Sequence, residues 1–383
     1  MPEKLSQKLL RVLRSFPAAL SSSAGKPGAA IPGGPFGGTN VRRTFVKNLR
    51  LTLTRLTAAR DVFETASEGN PRSIGLWVGA VLVTFVLLAP LGINDYHQSF
   101  LLQVFMVIAL AQAWNLISGM TGYVSFGHAA FFGVGAYAGA LFLTWGFPWW
   151  LAVIKGAGIA ALLAVPLGFL TLRLRGPYFA IAMLGLNEVG RVVATLWVDV
   201  TRGGTGLTLS PKLLPSLDVK YFTMFALALG ATLLVAWVHR SRFGLELRAI
   251  REDEEAAEMV GVNTTLNKVI AFVLSAVIPG AVGAVYVMYT SYINPASAFE
   301  HARNIEMIVV VLFGGSGTVW GPIIGAGTVM ILRELLWAQF PAAHLAALGV
   351  LLLVVVLYLP GGLISILRDR QQKRPDARPG ESP

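Results

Sequence analysis

The sequence contains no cysteine, and only 13% of its 383 residues are charged, against about 25% in an average soluble protein. Without cysteine the chain cannot form disulfides, use a thiol nucleophile, or bind zinc or an iron–sulfur cluster through thiolates. Hydrophobic residues make up 55% of the chain, and the mean hydropathy is +0.64. A soluble fold of this composition would expose large apolar patches, so most of the chain is predicted to lie in a bilayer.

Long apolar runs predict an all-α polytopic membrane protein with about ten transmembrane helices, several of them interrupted by glycine. A helical span needs about 20 consecutive, mostly apolar residues. The ten predicted spans are residues 74–92, 98–118, 124–145, 148–172, 178–198, 219–239, 268–292, 303–318, 320–338 and 342–367.

Basic residues are concentrated at the two ends of the chain. Residues 1–72 hold 12 Lys and Arg against 4 Asp and Glu, and residues 368–383 hold 5 against 3. Because cytoplasmic segments are enriched in Lys and Arg, this bias predicts both termini in the cytoplasm, next to anionic membrane lipid. Nucleic-acid binding is the weaker explanation, because the basic residues are not gathered on a compact polar domain.

The same charge distribution predicts three regions. Residues 1–72 form a basic cytoplasmic extension, with amphipathic helical patterns and a linker rich in Gly and Pro. Residues 73–367 form the transmembrane domain, and residues 368–383 form a cytoplasmic tail.

The largest polar interruption of the apolar body is the loop 240–267, which this topology places in the cytoplasm. Residues 245–260 predict a helix that is too polar to cross the membrane, and Gly261 is predicted to cap its C-terminal end. A helix presented to a soluble partner and a plain solvated connector both remain open from this pattern.

The sequence contains neither a phosphate-binding motif for ATP nor a catalytic motif. The pair Gly25-Lys26 has neither the upstream Gly nor the downstream Ser or Thr of a phosphate-binding loop, and no zinc-protease or serine-hydrolase pattern occurs. The chain is therefore predicted not to be an enzyme. A carrier driven by an ion gradient would need ionisable groups deep in its spans, and the candidates show no evident proton relay. These candidates are Lys155, Glu188, Arg191, Glu306, Arg333 and Glu334.

Glycine interrupts the apolar pattern twice, at Gly119–Gly133 and at Leu312–Pro322. Irregular backbone at membrane depth is tolerated only where it is buried in protein or lines a cavity. Two such segments in separate halves indicate a pathway between internal repeats, although close helix packing alone is the other interpretation. Small residues four apart also predict close helix contacts, at Gly135 with Gly139 and at Gly321 with Gly325.

Four patches of the sequence resemble the membrane permeases of ABC importers for branched-chain and other hydrophobic amino acids, specifically the LivM type. They occur in the order expected for the family and cover most of residues 73–367. The patches are Gly119–Tyr137, Leu174–Glu188 with Gly203–Leu207, Gly244–Gly261 with Lys268–Phe272, and Gly314–Ala326.

This resemblance implies a permease subunit that translocates branched-chain or hydrophobic amino acids across the bacterial inner membrane. It also implies a heterodimer with a homologous second permease, two ATP-binding cassette ATPases and a periplasmic substrate-binding protein. No cofactor is expected on this chain, because ATP would be bound with Mg and hydrolysed on the partner subunits. A urea or short-amide permease of the same superfamily and a stand-alone secondary carrier or channel remain the alternatives.

The resemblance also implies site residues. The cytoplasmic loop corresponds to a coupling helix that docks on the ATPase, and Glu255, Ala256, Ala257 and Gly261 fit the Glu-Ala-Ala-x-x-x-Gly core of the family, without its Leu-Pro ending. Arg251 completes the predicted coupling residues. The predicted substrate pathway, expected to be mainly apolar, comprises Ser125, Phe126, Gly127, His128, Tyr178, Asn187, Glu188, Gly314 and Gly315.

Overall fold

Long apolar helices make up most of the fold. The computed structural model describes residues 94–339 and Gly362, and the architecture below refers to them. Within this part of the chain, five helical stretches are long and apolar enough to cross a membrane. They are α1 (Asp95–Trp114, continued by a π-helical turn at Asn115–Gly119), α3 (Trp149–Thr171), α4 (Pro177–Leu196), α6 (Leu217–Arg240) and α9 (Thr264–Thr290).

Shorter helices complete the bundle and its connections. Two of them, α2 and α11, are apolar but have only 17 and 14 residues. The shorter helices are α2 (His128–Thr144), α5 (Val198–Thr201), α7 (Arg242–Glu252), α8 (Glu254–Met259), α10 (Pro295–Ala298), α11 (His301–Gly314) and α12 (Gly321–Gln339). An antiparallel pair of two-residue strands, β1 (Leu207–Thr208) and β2 (Tyr292–Ile293), joins two loops, with Leu207 opposite Ile293.

Eight of the ten predicted spans fall within the described residues, and each coincides with one helix, from α1 to α12. The span at 303–318 is the shortest as a helix, because α11 ends at Gly314. The predicted spans 74–92 and 342–367, the extension 1–72 and the tail 368–383 lie outside the described residues. The count of ten helices and the position of both termini therefore stay predictions.

Helix α9 lies at the centre of the bundle, where it packs most extensively against α2 and α3. Small residues allow this close approach, because a Cβ atom added at Gly135 would overlap the backbone of Gly280, and one at Gly139 would overlap Ala284. A Cβ at Gly325 would likewise overlap the backbone of α11. The predicted contacts between small residues are thus confirmed.

The outer face of α3 is strongly apolar. Leu162 and Leu170 on α3 are each exposed over more than two thirds of their surface. In water such a face would form a large apolar patch, whereas lipid chains accommodate it at no cost. The described part of the chain is therefore that of a polytopic membrane protein.

Candidate functional site

A charged helical hairpin, formed by α7 and α8, closes one end of the bundle, which we call the hairpin end. Ser241 caps α7 by accepting a hydrogen bond from its first turn at 3.1 Å. Asp253 caps α8 by accepting from the backbone of Glu255 and Ala256 at 2.9 and 3.0 Å. Because Asp253 is itself extended, the single helix predicted over 245–260 is wrong, and two helices replace it.

Gly261 ends α8 as predicted. The amide of Val262 donates to the carbonyl of Ala257, and the amide of Gly261 donates to that of Glu258, both at 3.0 Å. This pair of bonds is a Schellman motif, and it requires the left-handed backbone that Gly261 adopts at φ 90°. The turn leads the chain directly into α9, whose first helical turn is capped by Asn263.

Apolar contacts hold the hairpin against the bundle. Leu247 and Ile250 of α7 and Ala257 of α8 are all buried, in a cluster with side chains from the transmembrane helices. The tip of α8 is exposed instead of buried: Met259 is 82% exposed and Val260 is 80% exposed. The hairpin thus has a buried apolar side that fixes its position and an apolar tip that is largely exposed.

Lys268 is the most deeply buried cation of the hairpin end, with only 3% of its surface exposed. Its ammonium group lies 2.6 Å from Glu254 Oε1, 3.2 Å from the hydroxyl of Tyr123 and 3.1 Å from the carbonyl oxygen of Leu172. The Tyr123 hydroxyl donates to the second oxygen of Glu254. We call these four groups the Lys268 cluster; it connects α8, α9, the end of α3 and the loop between α1 and α2.

Two acidic groups of the cluster have shifted pKa values, Tyr123 upward and Glu254 downward. Burial raises the pKa of the Tyr123 phenol, and the adjacent Glu254 carboxylate raises it further, so Tyr123 remains a donor. Burial alone would raise the pKa of Glu254, but hydrogen bonds from Lys268 and Tyr123 outweigh it, and the pKa of Glu254 lies below its ordinary value. The ionised carboxylate therefore contributes stability above its unfolded pKa, and this is lost as pH falls through the folded pKa.

Arg251 connects α7 to the first glycine segment. One of its guanidinium nitrogens donates to the carbonyl of Gly119 at 2.7 Å, at the end of the π-helical turn that follows α1. A Cβ at Gly317 would come within 2.8 Å of the same nitrogen, so the second glycine segment lies beside this contact. Arg251 therefore touches both glycine segments from the hairpin.

The C-terminal end of α1 and its π-helical turn bind the second glycine segment. Asn115 accepts from the amide of Gly317 at 2.8 Å and donates to the carbonyl of Thr318 at 2.9 Å, while Gln112 donates to the carbonyl of Val319 at 2.8 Å. Two amide side chains, one on α1 and one in its π-helical turn, thus form hydrogen bonds with the irregular backbone that follows α11. Residues about 200 positions apart in the sequence are brought together here.

The predicted coupling residues lie in different surroundings on the hairpin. Glu255 and Ala256 are exposed, and Glu255 pairs with Arg175 at 2.7 Å between two solvent-exposed side chains. Ala257 faces the bundle, and Arg251 reaches inward to Gly119. Glu255, Ala256, Gly261 and the α8 tip thus belong to the exposed surface of the hairpin, together with Glu252, Asp253, Glu258 and the exposed part of Arg251.

Part of the predicted pathway lies in one buried group at the start of α2. The Ser125 hydroxyl lies 3.1 Å from His128 Nδ1, and the Ser125 carbonyl accepts from the Trp114 indole at 2.8 Å. His128 Nε2 is buried and has no hydrogen-bond partner among the described residues 94–339. Gly127 is buried against Met183 of α4, and Phe126 is half-buried beside them.

The other predicted pathway residues are not part of that group. Gly314 is packed against Gly321, where a Cβ would overlap the backbone, and Gly315 is buried next to it. Tyr178 is mostly exposed at the start of α4. These three positions lie near the hairpin end, apart from Asn187 and Glu188 farther along α4.

Asn187 and Glu188 lie side by side on α4 in contrasting environments. The buried amide of Asn187 donates to the Phe299 carbonyl at 2.9 Å and lies 3.3 Å from His301 Nδ1. Glu188 is partly exposed and forms an ion pair with Arg191. Asn187 therefore contacts the turn that precedes α11, while Glu188 lies 3.9 Å from Nε2 of His301, the first residue of α11.

Sequence reasoning missed the buried contacts of several polar residues. Lys268 was noted only within a resembling patch, and Tyr123 and Glu254 were given no role. Asn304 of α11 accepts from the amide of Ala129 at 2.9 Å, so it secures the first turn of α2. A lysine in the first turn of a long apolar helix was the available signal, because it needs a buried counter-charge nearby.

An apolar helical bundle with glycine-rich breaks among its helices and a charged hairpin at one end defines a membrane protein of the solute-transport class. The chain belongs to the family described as branched-chain amino acid transport system / permease component, whose model matches residues 97–359.

Individual relatives have related functions. The high-affinity branched-chain amino acid transport system permease protein LivM of Salmonella typhimurium is 26% identical over 348 residues, covering 82% of this chain and 81% of the relative. The fructose import permease protein FrcC of Rhizobium meliloti is 24% identical, covering 76% and 85%. The permease protein LivH of Escherichia coli K12 is 23% identical, covering 71% and 97%. No solved structure matches the chain significantly.

Proposed function

We propose that this chain is a permease subunit of an ATP-driven importer that carries branched-chain or other hydrophobic amino acids across the bacterial inner membrane. The observation that carries the proposal is the match of the permease family over residues 97–359, joined to a structured hairpin at one end of the bundle. The sequence supplies no phosphate-binding loop for a motor of its own. The work therefore comes from ATP and Mg bound to separate ATPase subunits.

The hairpin is the proposed docking element for one ATPase. Its exposed surface combines the apolar tip, Met259 and Val260, with the acidic Glu255 and the small Ala256. An apolar tip in water is unfavourable unless a partner covers it. The buried Ala257 and the inward-reaching Arg251 would then support the docking surface rather than form it.

The contacts behind the hairpin supply a route for the mechanical signal. Arg251 holds the end of α1, and the Lys268 cluster holds the start of α9, so a displaced hairpin would shift both helices. Packed elements of this kind switch between discrete arrangements rather than bending continuously. The remaining partners are a homologous second permease, for which the relationship to both LivM and LivH argues, and a periplasmic binding protein.

Reconstitution tests the proposed function. The chain would be placed in proteoliposomes with its cognate second permease, ATPases and binding protein, and uptake of radiolabelled leucine, urea and fructose would be compared with and without ATP. We expect uptake of leucine that requires ATP and every partner. Uptake by the purified chain alone would overturn the proposal in favour of a secondary carrier or channel, and ATP-driven uptake of urea or fructose without leucine would overturn the substrate class.

Charging the α8 tip is expected to weaken ATPase docking. The double substitution Met259→Lys with Val260→Lys should raise the Kd of the ATPase at least tenfold, equal to about 1.4 kcal/mol, because the apolar tip would no longer be buried favourably. Binding of the purified ATPase to the complex in nanodiscs measures this. Thr265→Lys, at an exposed position on the same end, is the matched control, and the ATPase should bind this variant normally. If Thr265→Lys and the double substitution weakened ATPase binding equally, the α8 tip would not be a specific docking surface.

Gly261 is expected to act through its backbone conformation. A Cβ there meets nothing within 4 Å, so the strain of φ 90° alone should decide which residues are tolerated. Gly261→Asn should retain coupled uptake, because Asn adopts the left-handed region more readily, whereas Gly261→Val should lower uptake several-fold through about 1–3 kcal/mol of strain. Leucine uptake by both variants measures this, and an Asn variant as impaired as the Val variant would contradict it.

A further inference from the structure

Three ionisable side chains meet partway along α4. Arg191 Nε lies 3.0 Å from each carboxylate oxygen of Glu188, and Arg191 Nη2 also contacts this carboxylate. His301, the first residue of α11, places Nε2 3.9 Å from the same carboxylate. We call Glu188, Arg191 and His301 the mid-helix triad; their side chains are 39%, 44% and 44% exposed.

The depth of the triad excludes a face turned to lipid. Glu188 is the twelfth of the 20 residues of α4, about 16 Å from the helix start, and the hydrocarbon core is about 30 Å thick. Exposed apolar residues, Leu184 and Val192, flank it one turn away on each side. An ionisable group at this depth is costly in lipid, so such groups face the interior of an assembly or a water-filled cavity.

A broken helix brings a second polar element to the same level. With 14 residues, α11 is only about 20 Å long, and contact between His301 and Glu188 places its N-terminal end well inside the span. The preceding turn is held there by Asn187, which donates to the Phe299 carbonyl. The N-terminal end of a helix carries partial positive charge and has no side-chain cap here.

Asn187 adds an unsatisfied acceptor beside the triad. Its amide nitrogen is engaged by Phe299 and His301, but its oxygen Oδ1 is fully buried and accepts no hydrogen bond from any residue that the structure describes. A buried acceptor without a donor is unfavourable unless another group supplies one in some state of the protein. Within the described residues, Asn187 Oδ1 therefore lacks a hydrogen-bond donor.

From these contacts we infer that the mid-helix triad binds the α-ammonium and α-carboxylate groups of an amino-acid zwitterion as it crosses the membrane. Glu188 receives the ammonium, with Asn187 as the further acceptor, while Arg191 and the N-terminal end of α11 receive the carboxylate. The inference rests on the proposed function and names the part of the substrate that this chain recognises.

The charge balance explains why a zwitterion fits and why it binds weakly. Glu188 and Arg191 neutralise each other when the site is empty of substrate, and a zwitterion inserted between them leaves no charge unpaired. The internal ion pair competes with the ligand, so net binding is small, as a transport step requires. A neutral sugar or urea offers no charge to replace the pair.

Water access is testable because the chain has no cysteine of its own. Leu184→Cys and Val192→Cys, on the triad's face of α4, would be exposed to a charged methanethiosulfonate reagent in the reconstituted complex. We expect labelling of both, slowed at least threefold by saturating leucine but not by fructose. Leu162→Cys, on the apolar face of α3, is the control and should stay unlabelled. Absence of labelling at both α4 positions, or labelling that leucine does not slow, overturns the inference.

Charge substitutions separate this inference from the proposed function. Glu188→Gln and Arg191→Gln should each lower ATP-driven leucine uptake at least tenfold while ATP hydrolysis continues, and the exchange Glu188→Arg with Arg191→Glu should recover part of the uptake. Glu306→Gln, which breaks the comparable ion pair with Arg333 at 3.2 Å, is the matched control and should change uptake less than twofold. Normal leucine uptake by Glu188→Gln would overturn the site and leave the proposed function intact.

Discussion

Replacing Lys268 with methionine is expected to abolish coupled leucine uptake and to lower the free energy of unfolding by about 3–5 kcal/mol. Removing one partner of a buried ion pair leaves the other charge uncompensated, and Glu254 would lose the ammonium group 2.6 Å away. The Leu172 carbonyl would lose its donor as well. Denaturant unfolding in detergent and ATP-driven uptake in proteoliposomes measure the two effects.

A double variant separates stability from coupling. Lys268→Met with Glu254→Gln leaves no buried charge, so it should regain most of the lost stability; uptake should stay low because the link between α8 and α9 is gone. Arg175→Gln breaks the exposed pair with Glu255 and should leave the stability nearly unchanged, because solvent screens this pair. Wild-type stability of the Lys268→Met variant would show that the cluster carries no net energy.

The transmembrane helices could be predicted because their signal is local. A run of about 20 apolar residues has few alternatives in a bilayer, and α6 and α9 lie within four residues of their predicted limits. The two helices of the hairpin were harder to predict, because the helical pattern over 245–260 continues across Asp253, the residue that caps the second helix. The Asp253 side chain bonds to the backbone two and three residues ahead, which favours an extended residue and a new helix over continuation.

The candidate site could be predicted only in part, because its contacts join distant parts of the sequence. Motif matching selected Ala257 without showing that it faces the bundle. Glu188 was selected, but its neighbour His301 is more than 100 residues away, and periodicity cannot pair two different helices. The breaks in the helices at 119–133 and 312–322 were visible as glycine, whereas the amide side chains that hold them, Asn115 and Gln112, were not.

These contacts connect the two proposed sites through α11. Asn115 holds the loop that follows the C-terminal end of α11, next to the Arg251 contact, while His301 at its N-terminal end touches Glu188. Under the proposed function, a 14-residue helix thus ends beside the contact between Arg251 and Gly119 and begins at the zwitterion site. A rigid helix of this length transmits a displacement without bending.

Replacing Gly135 with alanine is expected to destabilise the chain by about 1–3 kcal/mol and to reduce the yield of folded protein. The added Cβ would overlap the backbone of Gly280, so α2 and α9 would have to separate along the central contact of the bundle. Denaturant unfolding in detergent and the folded fraction on gel filtration measure this.

Gly158→Ala on α3 is the matched control for that substitution, and it should have the opposite sign. Its Cβ meets nothing within 4 Å, so the variant should gain up to about 1 kcal/mol, because alanine favours a helix more than glycine does. If both variants were stabilised alike, the close approach of α2 and α9 would be wrong. The bundle would then lose the central contact that holds α2 against α9.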